Sequence, residues 1–187
     1  MKRIIALTLT FIMLFTLSAC VKDEEKPNTY SVDVNYYANL GAIPEVEYKL
    51  GANIDDMLTA LEAEETANAE GDDHQHATYT VYEEAERSMI LTSGTNYYYD
   101  TKDKDVGVSY IVNFDASYGF ALGTYSIEVK DALSTLKLEA QKREPSSDEV
   151  FFIPGSANLT VLEYNFKKCN LMFIFQEDML CATALYK

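Results

Sequence analysis

Apolar and polar positions change period several times along the chain, and each change marks an element. Ile4 to Leu17 is almost continuously apolar. Residues 31–37 (Ser-Val-Asp-Val-Asn-Tyr-Tyr) alternate, which predicts a leading strand. Ile54, Met57, Leu58 and Leu61 recur at helical spacing, and so do Val129, Leu133 and Leu136. Each of these two helices follows a glycine (Gly51, Gly123) and has a small polar residue (Asn53, Ser126) placed to cap it. Acids lie in the first turn of each, where the positive end of the helix favours them. Short apolar runs bounded by turn residues predict strands near 77–83, 87–92, 97–100 and 107–114. A second set is predicted near 137–143, 149–153, 159–166 and 170–175, with 179–186 closing the chain.

The two halves resemble one another. At an offset of 72, Leu50, Gly51, Ala60 and Leu61 match Leu122, Gly123, Ala132 and Leu133 identically. Further on, residues 89–94 align with 151–156, and 110–115 with 172–177, at an offset of 62. The change of offset falls in the acidic stretch 62–76, which has the composition of a tolerated surface insertion. The expected fold is therefore α+β: two tandem helix-plus-four-strand units, 31–121 and 122–187, forming an antiparallel sheet with the helices on one face.

The first residues carry an address. Lys2 and Arg3 precede the apolar run, which ends in Leu17-Ser18-Ala19-Cys20. A basic start, a short apolar core and a small-residue cleavage site define an export signal over 1–19. Leu-Ser-Ala-Cys resembles the bacterial lipobox, which implies that Cys20 is acylated and holds the protein to the lipid bilayer. Residues 20–30, charged and containing Pro27, read as a tether. The remainder of the chain is expected to lie outside the cytoplasm, on a Gram-positive surface in preference to an outer membrane.

Charge narrows the partners. The chain has 187 residues, 48% of them apolar, and a formal net charge of −15. Removing residues 1–19, with two cations and no acid, lowers that to −17. So acidic a protein is a poor ligand for nucleic acid, whose binding depends on clustered Lys and Arg.

A lipobox, a tether and tandem Leu-Gly-initiated helix-and-strand units are similar to the β-lactamase-inhibitory-protein-like superfamily. That superfamily includes the small outer-membrane assembly lipoproteins of the SmpA/OmlA type. The resemblance spans residues 45–187 and implies a binding protein that presents the sheet face opposite the helices to a protein partner. The inhibitors themselves carry disulfides and Trp-rich faces, whereas this chain has no Trp. The expectation is thus binding of an envelope protein or peptide rather than inhibition of a particular enzyme.

Tyrosine is the residue type best suited to such a surface, because a large rigid ring with one polar tip makes contact at low entropic cost. Of fourteen tyrosines, Tyr97, Tyr99, Tyr110 and Tyr164 are the expected partner contacts. Tyr97 and Tyr99 share one strand face and Tyr98 takes the other, so one set must leave the helix-covered side. The alternative reading is an extracytoplasmic small-ligand or metal-ion (calcium or zinc) sensing lipoprotein that uses its acidic loops. Asp72-Asp73-His74-Gln75-His76 offers N and O ligands, and Asp100–Gly107 clusters carboxylates, but neither completes a recognised ligand set and no cofactor is expected. Cys169 and Cys181 lie on neighbouring strands, out of register for a disulfide, and read as free buried thiols. No nucleophile, P-loop or dinucleotide motif is present, so the chain is not expected to be an enzyme.

Overall fold

A computed structural model describes residues 32–69, 79–83, 87–146 and 158–187. The expected export signal, Cys20 and the tether lie outside the described residues, as do the strand at 149–153 and the two histidines. Val32–Lys187 form one compact unit.

The described chain is α+β. Three helices, α1 (Val34–Leu40), α2 (Ile54–Ala69) and α3 (Ser126–Leu133), accompany eight strands. In chain order the strands are β1 (Tyr79–Glu83), β2 (Arg87–Thr92), β3 (Thr95–Asp100), β4 (Tyr110–Asn113), β5 (Gln141–Arg143), β6 (Leu159–Asn165), β7 (Asn170–Gln176) and β8 (Met179–Tyr186). They form one sheet in the order β1-β2-β3-β4-β8-β7-β6-β5, antiparallel at every step.

Residues 34–40 form α1 rather than the expected leading strand. Asp33 caps it, accepting a hydrogen bond from the Tyr36 amide at 3.0 Å, and Gly41 ends it in the left-handed conformation (φ 70°). Val34 and Ala38, four apart, put one face into the core. The start and stop signals outweigh the local alternation.

The second helix starts as its sequence suggests. Asn53 accepts from the Asp56 amide at 3.0 Å, and Ile54, Met57 and Leu61 are buried. It runs on to Ala69, into the stretch expected as a loop, because Glu and Ala there are strong helix formers. Ser126 does not cap α3. Tyr125 holds that place, and the Ser126 hydroxyl instead donates to Asp178 in the β7–β8 turn.

Among the described residues β5 pairs directly with β6, and β8 lies inside the sheet between β4 and β7. Among the described residues nothing stands between β5 and β6.

The contacts of the helical segments go to one face of the sheet. It carries Ile90, Tyr97, Tyr99, Ile111, Leu171 and Phe173, all buried. Tyr118 and Phe120 pack edge-on against Phe173, and the Cys169 thiol donates to the Ala38 carbonyl at 2.9 Å. The other face carries Tyr98, Val112, Val161, Met172, Ile174 and Ala184, also buried. Burial on both sides explains why β7 is apolar at five consecutive positions, whereas edge strand β1 is largely exposed.

Gly107 marks where the chain before α2 crosses the end of the sheet. Gly51 donates to the Val108 carbonyl at 2.7 Å, and Val108 returns a bond to Ala52 at 3.0 Å. A Cβ at Gly107 would run into the Ala52 carbonyl oxygen, and the backbone there has φ 70°.

Candidate functional site

A cleft with a volume of about 590 Å³ opens beside the first four strands. One wall is the segment 45–48, the second is the later part of α2 at Leu61 and Glu64, and the third is the β2–β3 hairpin with Tyr79 of β1. Glu45 adopts φ 67°, a left-handed turn that brings the segment across the sheet end. Tyr97 is the floor, only 2% exposed, with the Tyr48 ring edge-on to it at 5.7 Å. Glu45, Glu47 and Glu64 line the cleft and are exposed; among the described residues its lining includes no Lys, Arg or His.

The electrostatics of this cleft are negative at its floor. Burial pushes the Tyr97 phenol up to about 12, partly offset by hydrogen bonding to the Tyr48 backbone and Thr95, with the Glu47 charge adding to the rise. Tyr48 is also raised to about 12, by burial first and then by the Glu47 and Glu64 carboxylates. Glu47 therefore acts on both rings, and Glu64 adds to its effect on Tyr48. Each phenol stays protonated at neutral pH, a donor and an aromatic face rather than a base.

A smaller cleft of about 350 Å³ lies at the far half of the sheet, between Leu133 of α3, the 138–140 segment and Tyr164. The Tyr164 hydroxyl is buried without a hydrogen-bond partner, and burial raises its pKa to about 12.

The four tyrosines expected to meet a partner divide between two environments. Tyr97, Tyr99 and Tyr164 lie beneath the helices with 1–2% exposure and pack the core. Tyr110 is half-buried on the opposite face, stacked on Tyr186 at 5.5 Å and edge-on to Tyr98 at 5.9 Å. Thus Tyr98 leaves the helix-covered side, and Tyr97 with Tyr99 stays. Beside this row Glu163, 7% exposed, accepts from Arg143 at 2.6 Å and from the Tyr186 hydroxyl at 2.7 Å. The face opposite the helices is a tightly packed surface around those pairs, not an open aromatic patch.

In the Asp100–Gly107 loop, Asp100 accepts from the Lys102 amide at 2.7 Å, which closes a hairpin turn. Among the described residues no three His, Cys, Asp or Glu side chains are grouped to hold a metal ion. Asp72–His76 lies outside the described residues. Cys169 and Cys181 are both free. Cys181 does not face Ile174 as simple counting from the turn suggests: a register shift pairs Ile174 with Ala182, and the Cys181 thiol donates to the Ile174 carbonyl at 3.3 Å.

Sequence reasoning missed the 45–48 wall. Ala-Ile-Pro-Glu-Val-Glu-Tyr has no periodicity, and its only signal is two glutamates beside a tyrosine. Among the described residues no helix is long and apolar enough to cross a membrane. Comparison with known proteins finds no matching family model, curated protein or solved structure.

Proposed function

We propose that this chain is a membrane-anchored extracytoplasmic lipoprotein. Its folded part is a tandem, inhibitory-protein-like α+β module that binds a protein or peptide at the cell envelope without catalysing a reaction. The anchor rests on Leu17-Ser18-Ala19-Cys20 after a basic, apolar leader.

The strand registers support the tandem reading more strongly than residue identities do. Val112 of β4 pairs with Ala184 of β8, and these two residues are 72 positions apart, the offset of the two Leu-Gly helix starts. Ile111 pairs with Leu185 and Asn113 with Thr183, so the seam maps onto itself under that offset. Gly51 and Gly123 both have positive φ, 79° and 83°. Under this equivalence β4 corresponds to β8, and the expected alignment of 110–115 with 172–177 is replaced.

The observation that carries the binding reading is the Tyr48–Tyr97 cleft, a concave site of a size typical for ligand pockets, with aromatic walls and a few polar groups. The test is capture from detergent extracts of the source membranes by the intact lipoprotein. The comparison is a Tyr79→Ser/Glu64→Gln variant of unchanged melting temperature. A polypeptide retained by the wild type and lost by the variant is the expected result. Equal retention by both refutes the cleft, and retention by neither refutes the binding reading.

A further inference from the structure

The two tandem units should each have a cleft in the same place, and they do. Leu61 and Leu133, one on each cleft, are 72 residues apart, as are Thr92 and Tyr164. Tyr79 and Ala140, near the start of the first strand of each unit, also line them. The copies have diverged in a directed way. In the second, Tyr164 occupies the position of Thr92, its phenol has no partner, and the space shrinks to about 350 Å³. In the first, a small residue keeps the space open at about 590 Å³, and three glutamates surround it.

The open cleft is selective in charge. Among the described residues its lining holds three carboxylates and no cation, in a chain of net charge −15, so both the local and the long-range field favour a positive ligand. The half-buried Tyr48 ring adds a face on which a desolvated ammonium or guanidinium is attracted. Among the described residues Glu45, Glu47 and Glu64 do not form a three-ligand metal group. The volume exceeds what a single amine needs and leaves room for flanking backbone.

We propose that the first cleft takes a lysine or arginine side chain of a cationic polypeptide segment, held between Glu47 and Glu64 beside the Tyr48 ring. This rests on the peptide-binding reading above and specifies its ligand. Glu45 closes the outer rim. The second cleft, narrowed by Tyr164, does not share the activity.

The test is calorimetric titration of the intact lipoprotein in nonionic detergent with a blocked Gly-Lys-Gly peptide. The same peptide acetylated on Nε, and n-pentylamine, serve as comparisons. The expected result is that acetylation weakens binding about tenfold or more, that raising salt weakens it further, and that pentylamine binds less tightly than the lysine peptide. Glu47→Gln with Glu64→Gln should weaken the lysine peptide about tenfold with no change in melting temperature, since both side chains are exposed. Glu47→Asp should retain most of the affinity. Equal binding of the lysine and acetyl-lysine peptides overturns the cationic specificity and leaves peptide binding standing. Pentylamine binding as tightly as the peptide overturns the polypeptide source. No binding of any probe overturns the cleft as a peptide site altogether.

Discussion

Val112 of β4 and Ala184 of β8 face each other at the centre of the seam where the two runs of strands meet, and both are wholly buried. One sheet therefore continues through both halves of the chain. Ala184→Asp places a carboxylate in that seam with no room or partner, and should cost about 3 kcal/mol or more. Because the sheet is continuous, urea unfolding of the wild-type domain should be a single transition by both far-ultraviolet circular dichroism and tyrosine fluorescence. Two separated transitions would show that the halves fold independently.

The tyrosines beneath the helices are structural. Tyr97→Ser with Tyr99→Ser removes two rings of 1–2% exposure and should cost about 3–5 kcal/mol for each, enough to unfold a domain of ordinary stability. Tyr82→Ser, at an exposed edge-strand position, should change the stability read from urea unfolding by less than about 0.5 kcal/mol. A folded double variant would place those rings outside the core.

Alkaline pH should weaken the fold through the same rings. The Tyr97 and Tyr164 phenols are raised to about 12 by burial, from an ordinary value near 10. A folded pKa above the unfolded one means that the native state holds the proton more tightly. Stability from these groups is then full below about pH 10 and is lost as pH rises through 12. Phenolate absorbance should show that a fraction of the tyrosines ionises only as circular dichroism is lost. Titration of every tyrosine near 10 with the fold intact would contradict this.

Gly107→Ala should destabilise the crossing between the α2 approach and the sheet end, by about 1–3 kcal/mol. The cause is a left-handed backbone together with the collision with the Ala52 carbonyl. A thermal melt of this variant against Gly123→Ala isolates the collision. Gly123 has φ 83° but open space around its Cβ position, so it should lose less. Equal losses would assign the whole effect to φ.

Cys169 should resist alkylation in the native protein. Its thiol is buried, bonded to the Ala38 carbonyl, and raised to about 11 by burial, so little thiolate forms at neutral pH. Peptide mapping after iodoacetamide treatment should find Cys169 unmodified until denaturant is added. Rapid labelling without denaturant would mean that the α1 contact opens.

Most of the strands were legible because period-two alternation and turn residues bound them; β2, from Arg87 to Thr92, lies where its sequence predicts. The first helix was not, since Ser-Val-Asp-Val-Asn-Tyr-Tyr satisfies a strand pattern and only the Asp33-to-Gly41 spacing reveals the caps. The register of the repeat was not legible either. Short apolar strands match one another at several offsets, so the sequence alone does not choose among them. Nor does Tyr97-Tyr98-Tyr99 tell which face the helices will cover. The cleft was invisible for a different reason, because its 45–48 wall is irregular and meets Glu64 and Tyr79 only through tertiary packing.

The most direct test of the binding account is site-specific photo-crosslinking in intact source cells. A photoreactive residue replaces Thr80 at the rim of the cleft or, in a parallel strain, exposed Ile127 on α3. The account expects a discrete polypeptide adduct from position 80, absent from position 127 and lost when Glu47 and Glu64 are both changed to Gln. An adduct from position 127 alone, or none from position 80, would contradict it.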